Sequence, residues 1–355
     1  MSILERDGDA PSTPSVPATQ GPRWRPASIL TTHRQKLLIN IIALVLISGI
    51  IALLTPRFLT ETNIANVLRN VAPVVIVGAA FTLLMVSRGL DLSVGSVIAL
   101  AGVVAAIAAS TGGLPVPLAL LVGVTSGTLI GVVNAVLAVP FGINSVIATL
   151  GTLYVARGTA QLLTGGVAVY GVPDEYQAFG GGSMFGIPNP VLVMLIVVIA
   201  FVSLERFTLL GRYAVAVGSN PEASYLSGVP GRRIQAALYV LTGTMAGLAG
   251  VMLSSRLSSG QINTGVGFEF DVIVATVLGG TSLAGGEGTV AGMVIGALII
   301  GVLANGLNLL GVPSFWQTVA QGVVLVLAVG LDVFLRQRLA ARRRRAESAG
   351  RHGSA

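Results

Sequence analysis

The stretch "VLVMLIVVIAFVSLERFTLLGRYAVAVGSNPEASYLSGVPGRRIQAALYVLTGTMAGLAGVML", residues 191–253, sets two apolar runs, 190–204 and 234–253, on either side of a polar insert. Both runs suit a lipid bilayer. The insert carries Arg206, Arg212, Arg232 and Arg233 with Glu205 and Glu222, and loops joining membrane helices are usually shorter than this. Within it, the residues spell out a short helix. Asn220 is a good N-cap, and Pro221 fits the first helical position, where its missing N–H costs nothing. Glu222 favours the positive helix end. Gly228 is placed to end the helix in the left-handed conformation, and Pro230 stops it from continuing. Ala223, Tyr225 and Leu226 form its exposed set. A capped helix showing apolar residues outside the bilayer reads as a docking knob; the alternative is an interfacial helix lying on the headgroups.

Composition places the whole chain in a membrane. Of 355 residues, 53% are apolar and only 10% are charged, against about 25% charged in soluble domains. There is no cysteine, and the two histidines, His33 and His352, lie in polar tails. A disulfide, a thiolate site or a zinc centre is therefore not expected, and neither is any metal or cofactor. The single lysine, Lys36, stands in "TTHRQKLL" without a glycine, so the phosphate-binding loop of ATPases is missing. Any ATP-derived energy must come from a partner, and the chain is not expected to be an enzyme.

A crossing helix needs about twenty mostly apolar residues. The pattern predicts an all-α polytopic protein with ten crossings, at 37–55, 67–87, 92–110, 116–139, 143–163, 189–204, 234–253, 268–284, 288–309 and 314–335. The fifth and eighth are rich in Thr, Gly and Ser and are candidates for broken or re-entrant segments. With both termini in the cytoplasm, seventeen of the twenty-one Lys and Arg residues fall inside, as the positive-inside rule requires. Arg57, Arg69 and Arg256 fall outside, and Arg157 lies within a span. Residues 1–35, rich in Pro, Ser, Thr and Ala, are expected to be a disordered cytoplasmic tail, and the apolar run starts too late for a signal peptide. Residues 36–335 form the transmembrane domain, and 336–355 a basic cytoplasmic tail. The basic tail reads as an anchor to anionic lipid, not as a nucleic-acid patch.

Two kinds of residue stand out inside the spans. Glycines four apart, Gly123, Gly127 and Gly131, then Gly288, Gly292 and Gly296, then Gly243 and Gly247, make flat stripes for helix contact, within one subunit or across a dimer. Asn134, Asn144, Thr149, Thr152, Arg157, Gln161, Asn305, Asn308, Gln317 and Gln321 must each find a partner or water. Interhelical hydrogen bonding explains any one of them; a wet path for a neutral, hydroxyl-rich solute explains them together, with Asn134, Asn144, Thr152, Arg157 and Asn305 as its candidates. Acidic residues are almost absent from the cores of the spans, with Asp91 and Asp332 at the edges, which weighs against a proton- or sodium-driven transporter, although backbone carbonyls can also hold sodium. In the hairpin "SRGLDLSVGS", Arg88 suits a helix C-terminus, and Asp91 an N-cap accepting from the amide of Ser93 or Val94.

"GRYAVAVGSNPEASYLSGV" resembles the cytoplasmic segment of permease subunits of ATP-binding-cassette (ABC) sugar importers of the ribose type. "SRGLDLSVGSVIALAG", "INSVIATLGTLYVARGTAQLLTGG", "VLGGTSLAGGEGTVAGMVIGALIIGVLANGLNLLGV" and "FWQTVAQGVVLVLAV" resemble the same family in order, so that the likeness covers roughly residues 40–335. The resemblance implies a permease that dimerises, works with an ABC ATPase inside and an extracytoplasmic solute-binding protein outside, and imports a monosaccharide. It makes the helix near 220–228 the coupling helix, with Asn220, Pro221, Glu222, Ala223, Tyr225, Leu226 and Gly228 as the ATPase-coupling residues. It also makes the 164–190 loop, with Asp174 and Glu175 its only charges, the contact for the binding protein. A secondary transporter acting alone and a non-transporting scaffold are the competing readings.

Overall fold

The computed structural model describes residues 26–313, 315–320, 322–323, 326–327 and 330. The chain folds as α1 (Pro26–Leu54), α2 (Glu61–Val86), α3 (Val94–Ala109), α4 (Val116–Ala138), α5 (Ser145–Thr164), α6 (Asp174–Gly181), β1 (Ser183–Met184), β2 (Ile187–Pro188), α7 (Asn189–Phe207), α8 (Leu209–Ser219), α9 (Pro221–Leu226), α10 (Gly231–Leu257), α11 (Phe268–Leu278) and α12 (Val290–Leu309). Residues 315–320 are also helical. The two short strands pair antiparallel, Ser183 opposite Pro188. α1 takes in residues 26–35, part of the stretch whose composition suggests a disordered tail.

Among the described residues, six helices are long and apolar enough to cross a membrane: α1 from Leu37, α2, α4, α7, α10 and α12. α5 is an unbroken helix of 20 residues, so the break considered for the fifth crossing is not there. Its Thr, Gly, Gln and Arg residues make it less apolar than the six. The eighth predicted crossing, 268–284, is a shorter object. Its helix, α11, has 11 residues and rises about 16 Å, half of the hydrocarbon core. Gly279 ends it and a glycine-rich turn follows. The tenth predicted crossing is described only in part.

α2 is the axis of the molecule. Every residue from Val75 to Ser87 is buried, as expected of a helix that is apolar on all sides. α10, α12, α7 and α11 pack round it. Pro73 sits inside α2 and has no N–H to give to the carbonyl of Arg69. α1 lies against α12 at the edge and leaves Leu38, Ile39, Leu46 and Leu53 exposed.

The glycine stripes close the α4–α10 contact. A Cβ on Gly127 would lie 2.6 Å from the Gly243 carbonyl oxygen and from the Gly247 Cα, and one on Gly131 would lie 2.7 Å from the Tyr239 carbonyl oxygen. Only glycine lets the two backbones come so near. Gly292 and Gly296 do the same against α11, at the carbonyls of Gly279 and Ala275. These stripes therefore pack helices of one subunit. Gly288 precedes α12 and abuts Thr281 in the turn.

Candidate functional site

The insert folds into α8 and α9, joined at Asn220. The Asn220 side chain accepts a hydrogen bond from the Ala223 amide at 3.0 Å, and Pro221 opens the helix. At the far end Gly228 has φ +76°, and its N–H reaches the Tyr225 carbonyl at 3.0 Å. A β-branched residue is strained there. Ser224 packs inward, while Tyr225 and Leu226 are each 79% exposed. Glu222 stands in the first turn. A cleft of about 830 Å³ runs beneath α9, lined by Arg88, Pro221, Tyr225, Arg232, Arg233 and Gln235 among others.

The insert is tied to the bundle at the end of α8. A Cβ on Gly218, near the end of α8, would lie 1.8 Å from the Val86 carbonyl oxygen and 2.5 Å from the Gly286 nitrogen. The Gly286 amide itself donates to the Val86 carbonyl at 2.8 Å. α8, the end of α2 and the 279–289 turn thus meet backbone to backbone. Arg88 crosses the joint: its Nε donates to the Gly218 carbonyl at 2.7 Å and its Nη2 to the Ser219 carbonyl at 3.4 Å. The arginine does serve a helix C-terminus, but that of α8 and not of its own helix α2. Its backbone is left-handed, φ 69°, which turns the chain towards the insert. Gln235 of α10 donates to the Ser87 carbonyl at 2.6 Å, and Glu205 of α7 accepts from the Val290 amide at 3.0 Å, capping α12. Four long helices, α2, α7, α10 and α12, therefore report to this joint.

Asp91 lies next to it and is 1% exposed. Its Oδ1 accepts from the Ser93 amide at 2.9 Å and from the Ser93 hydroxyl at 2.6 Å, while its Oδ2 accepts from Asn134 Nδ2 at 3.2 Å. Ser93, not Asp91, is the N-cap residue of α3. Burial pushes the Asp91 carboxyl up, and the Ser93 and Asn134 bonds pull it down. Thr152 donates to Asn134 Oδ1 at 2.6 Å, and Thr149 accepts from the Leu92 amide at 3.1 Å. Asn134 and Thr152 are buried and bonded in a joint between α4, α5 and the α2–α3 hairpin.

The other candidate path residues lie elsewhere. Asn144 is exposed and caps α5 through the Val146 amide at 2.9 Å. Arg157 reaches from α5 to the carbonyls of Ile262 and Thr264, at 2.6 and 3.0 Å. Asn305 of α12 makes a reciprocal amide pair with Asn63 of α2, at 2.9 and 3.0 Å. The five residues do not form one line. Asn305 does edge a polar cavity with Asn70, Asp271, Asn308 and Gln317.

Sequence reasoning missed the acidic residues of that region. Glu269 and Asp271 fall inside the predicted eighth crossing and occupy the first turn of α11. They stand at the start of that crossing, near its edge, and add to Asp91; Asp332 is outside the described residues. The signal was available in "GFEFDV", at the start of an apolar run. Among the described residues no three His, Cys, Asp or Glu side chains gather as a metal site.

A helical membrane bundle with a polar insert locked to the ends of its long helices has the build of a transport subunit. Residues 63–329 match the family described as branched-chain amino acid transport system / permease component, and the chain belongs to that family. It is 41% identical over 299 residues to the ribose import permease protein RbsC of Escherichia coli (strain K12), covering 82% of this chain and 92% of the relative. It is 40% identical over 285 residues to RbsC of Bacillus subtilis (strain 168), covering 80% and 88%. It is also 40% identical over 286 residues to the L-arabinose ABC transporter permease protein AraH of Azospirillum brasilense, covering 81% and 84%.

Proposed function

We propose that this chain is the membrane-spanning permease subunit of an ABC importer, forming the path for a monosaccharide or similar neutral polyol. A separate ATPase energises it, an extracytoplasmic binding protein delivers the solute, and two permease copies pair. It sits in the cytoplasmic (inner) membrane with ten crossings and both termini inside. The observation that carries this reading is the joint of Arg88, Gly218 and Gly286, because a displacement of α9 has to move the ends of α2 and α12. On this reading α9 docks in the ATPase through Tyr225 and Leu226. At the opposite face, α6 is held on α10 by Tyr176 Oη and Ser254 Oγ at 2.9 Å and by the Gly180 amide to Ser255 Oγ at 2.7 Å. The neighbouring hairpin shows Phe185 at 93% exposure. This platform is the docking place for the binding protein.

The second reading, a transporter acting alone, draws its support from Glu269 and Asp271, since carboxylates in spans commonly mark ion paths. Its weakness is that it leaves the insert without a task. One set of cysteine and glycine variants separates the readings. Tyr225→Cys should be labelled only from the cytoplasmic side, and Tyr170→Cys only from outside; labelling of Tyr225→Cys from outside intact cells would overturn the orientation. Gly228→Val costs about 1 kcal/mol at the cap, little for the bundle but much for a six-residue helix. It should leave the permease in the membrane while ATPase pull-down and sugar uptake fall together. Normal pull-down with normal uptake, or gradient-driven uptake by the purified chain without ATP, would defeat the proposal.

A further inference from the structure

α2, α11 and α12 enclose a cavity of about 210 Å³ far along α2 from the insert. Its volume equals that of about seven waters, which is room for one small polar molecule. The polar groups facing it are Asn70, Asp271, Asn305, Asn308 and Gln317. Val74 and Ile300 line the remainder with apolar surface.

The polar groups differ in how far they are already committed. Asn305 is paired with Asn63. Asn70 Oδ1 accepts from Arg256 Nη1 at 3.0 Å, which holds the arginine at the edge and leaves the Asn70 amide nitrogen to the cavity. Gln317 Nε2 makes a long contact of 3.4 Å with the Val312 carbonyl. Among the described residues, no protein group donates to the Asp271 carboxylate. Gly267, at φ +79°, turns the chain so that α11 begins just before Asp271. A half-length helix starting inside a membrane bundle is where transporters commonly hold solute.

We propose that this cavity is a transient binding site for the transported sugar, with Asp271 accepting hydrogen bonds from two neighbouring hydroxyls and Asn70, Asn308 and Gln317 completing the ring. The chemistry fits a neutral polyol. A hydroxyl both donates and accepts, so it satisfies a carboxylate and an amide at once, while the C–H face of a sugar rests on Val74 and Ile300. An anion would be repelled by Asp271. The proposal rests on the import reading above and adds the place and the recognising residues.

The test uses the complete importer, with its ATPase and binding protein, in proteoliposomes. Radiolabelled D-ribose, L-arabinose and D-allose serve as probes, and the one carried by wild type is kept. Uptake of none of them overturns the sugar reading and this site with it. With a transported sugar in hand, Asp271→Asn should cut uptake at low sugar about tenfold, as the loss of charge-assisted hydrogen bonds predicts. Turnover of ATP should persist, and the preference over the analogue lacking one hydroxyl should shrink. Unchanged uptake and preference in both Asp271→Asn and Asn308→Leu would refute the site while leaving the permease reading intact. Uptake driven by a proton or sodium gradient and lost in Asp271→Asn would assign the carboxylate to ion coupling and overturn its sugar role. Since Asp271→Asn could fail to assemble, Ala304→Cys offers an independent readout, because Ala304 lines the cavity and the chain has no other cysteine. The transported sugar should slow its modification by a small thiol reagent severalfold during turnover; no protection would count against the site.

Discussion

The two ends of α2 are built on opposite principles. At Val86 the polar groups are used up: the Val86 carbonyl takes the Gly286 amide, the Ser87 carbonyl takes Gln235, and Arg88 fills the carbonyls of Gly218 and Ser219. At Asn70 polar groups stand round a cavity, and the Asp271 carboxylate has no donor among the described residues. A satisfied joint transmits displacement, because any slip would strand buried donors and acceptors at a cost of about 1–3 kcal/mol each. A ring of under-used groups suits the proposed solute site, because incoming hydroxyls can bond the Asp271 carboxylate without displacing a protein donor among the described residues. The two ends are about 24 Å apart along the helix, sixteen residues at the helical rise, and the buried segment between them connects the proposed sugar site to the proposed coupling joint.

The sharpest way to break this contrast is to wedge the motor end. Gly218→Ala places a methyl group against two backbone atoms, at 1.8 and 2.5 Å, and neither can move aside without shifting α2 or the 279–289 turn. Uptake should fall at least a hundredfold in reconstituted complexes while the variant still inserts into the membrane. Near-normal uptake would mean that α8 and α2 are not held in register.

A smaller effect is expected at Asp91. Asp91→Leu takes the acceptor from the Ser93 amide and hydroxyl, while Asn134 keeps its bond to Ser93 Oγ; the cost of about 1–3 kcal/mol should appear as a lower melting temperature in detergent. Asp91→Asn keeps the acceptor for Ser93 but turns an NH₂ towards Asn134, so its loss should be about half as large. Equal melting temperatures for wild type and Asp91→Leu would show that the buried joint contributes nothing. The smallest effect belongs to Arg88→Lys. The side chain is exposed, and one of its two carbonyl bonds survives on a lysine, so the loss should be about 1 kcal/mol or less. Uptake should drop a fewfold, and Arg88→Ala should drop it further. Arg88→Lys falling as low as Gly218→Ala would show that the guanidinium fork, not the backbone contact, holds the joint.

How legible was each part? The capped helix was read from Asn220, Pro221 and Gly228 because caps are local: a side chain meets a backbone amide two or three residues away. The helical class followed from composition, since a lipid environment forces the backbone to bond within its own segment. The glycine stripes gave the contact faces of α4 and α10. Which helix each stripe met was not in the spacing, because packing partners are set by the path of the whole chain. The acidic pair of α11 was written in the sequence and overlooked, since an apolar window absorbs two carboxylates near its start.

What the sequence determined by itself is therefore whatever depends on near neighbours and on the solvent: helices, caps, membrane residence and the family motifs. The tertiary structure alone decided that Arg88 serves α8 and not α2, that Asn134 answers Asp91 across 43 positions, and that Asp271 faces Asn70, Asn308 and Gln317. Those pairings join residues far apart in the chain. No periodicity records them, because each one exists only once the helices between have packed and brought their polar groups within hydrogen-bond reach.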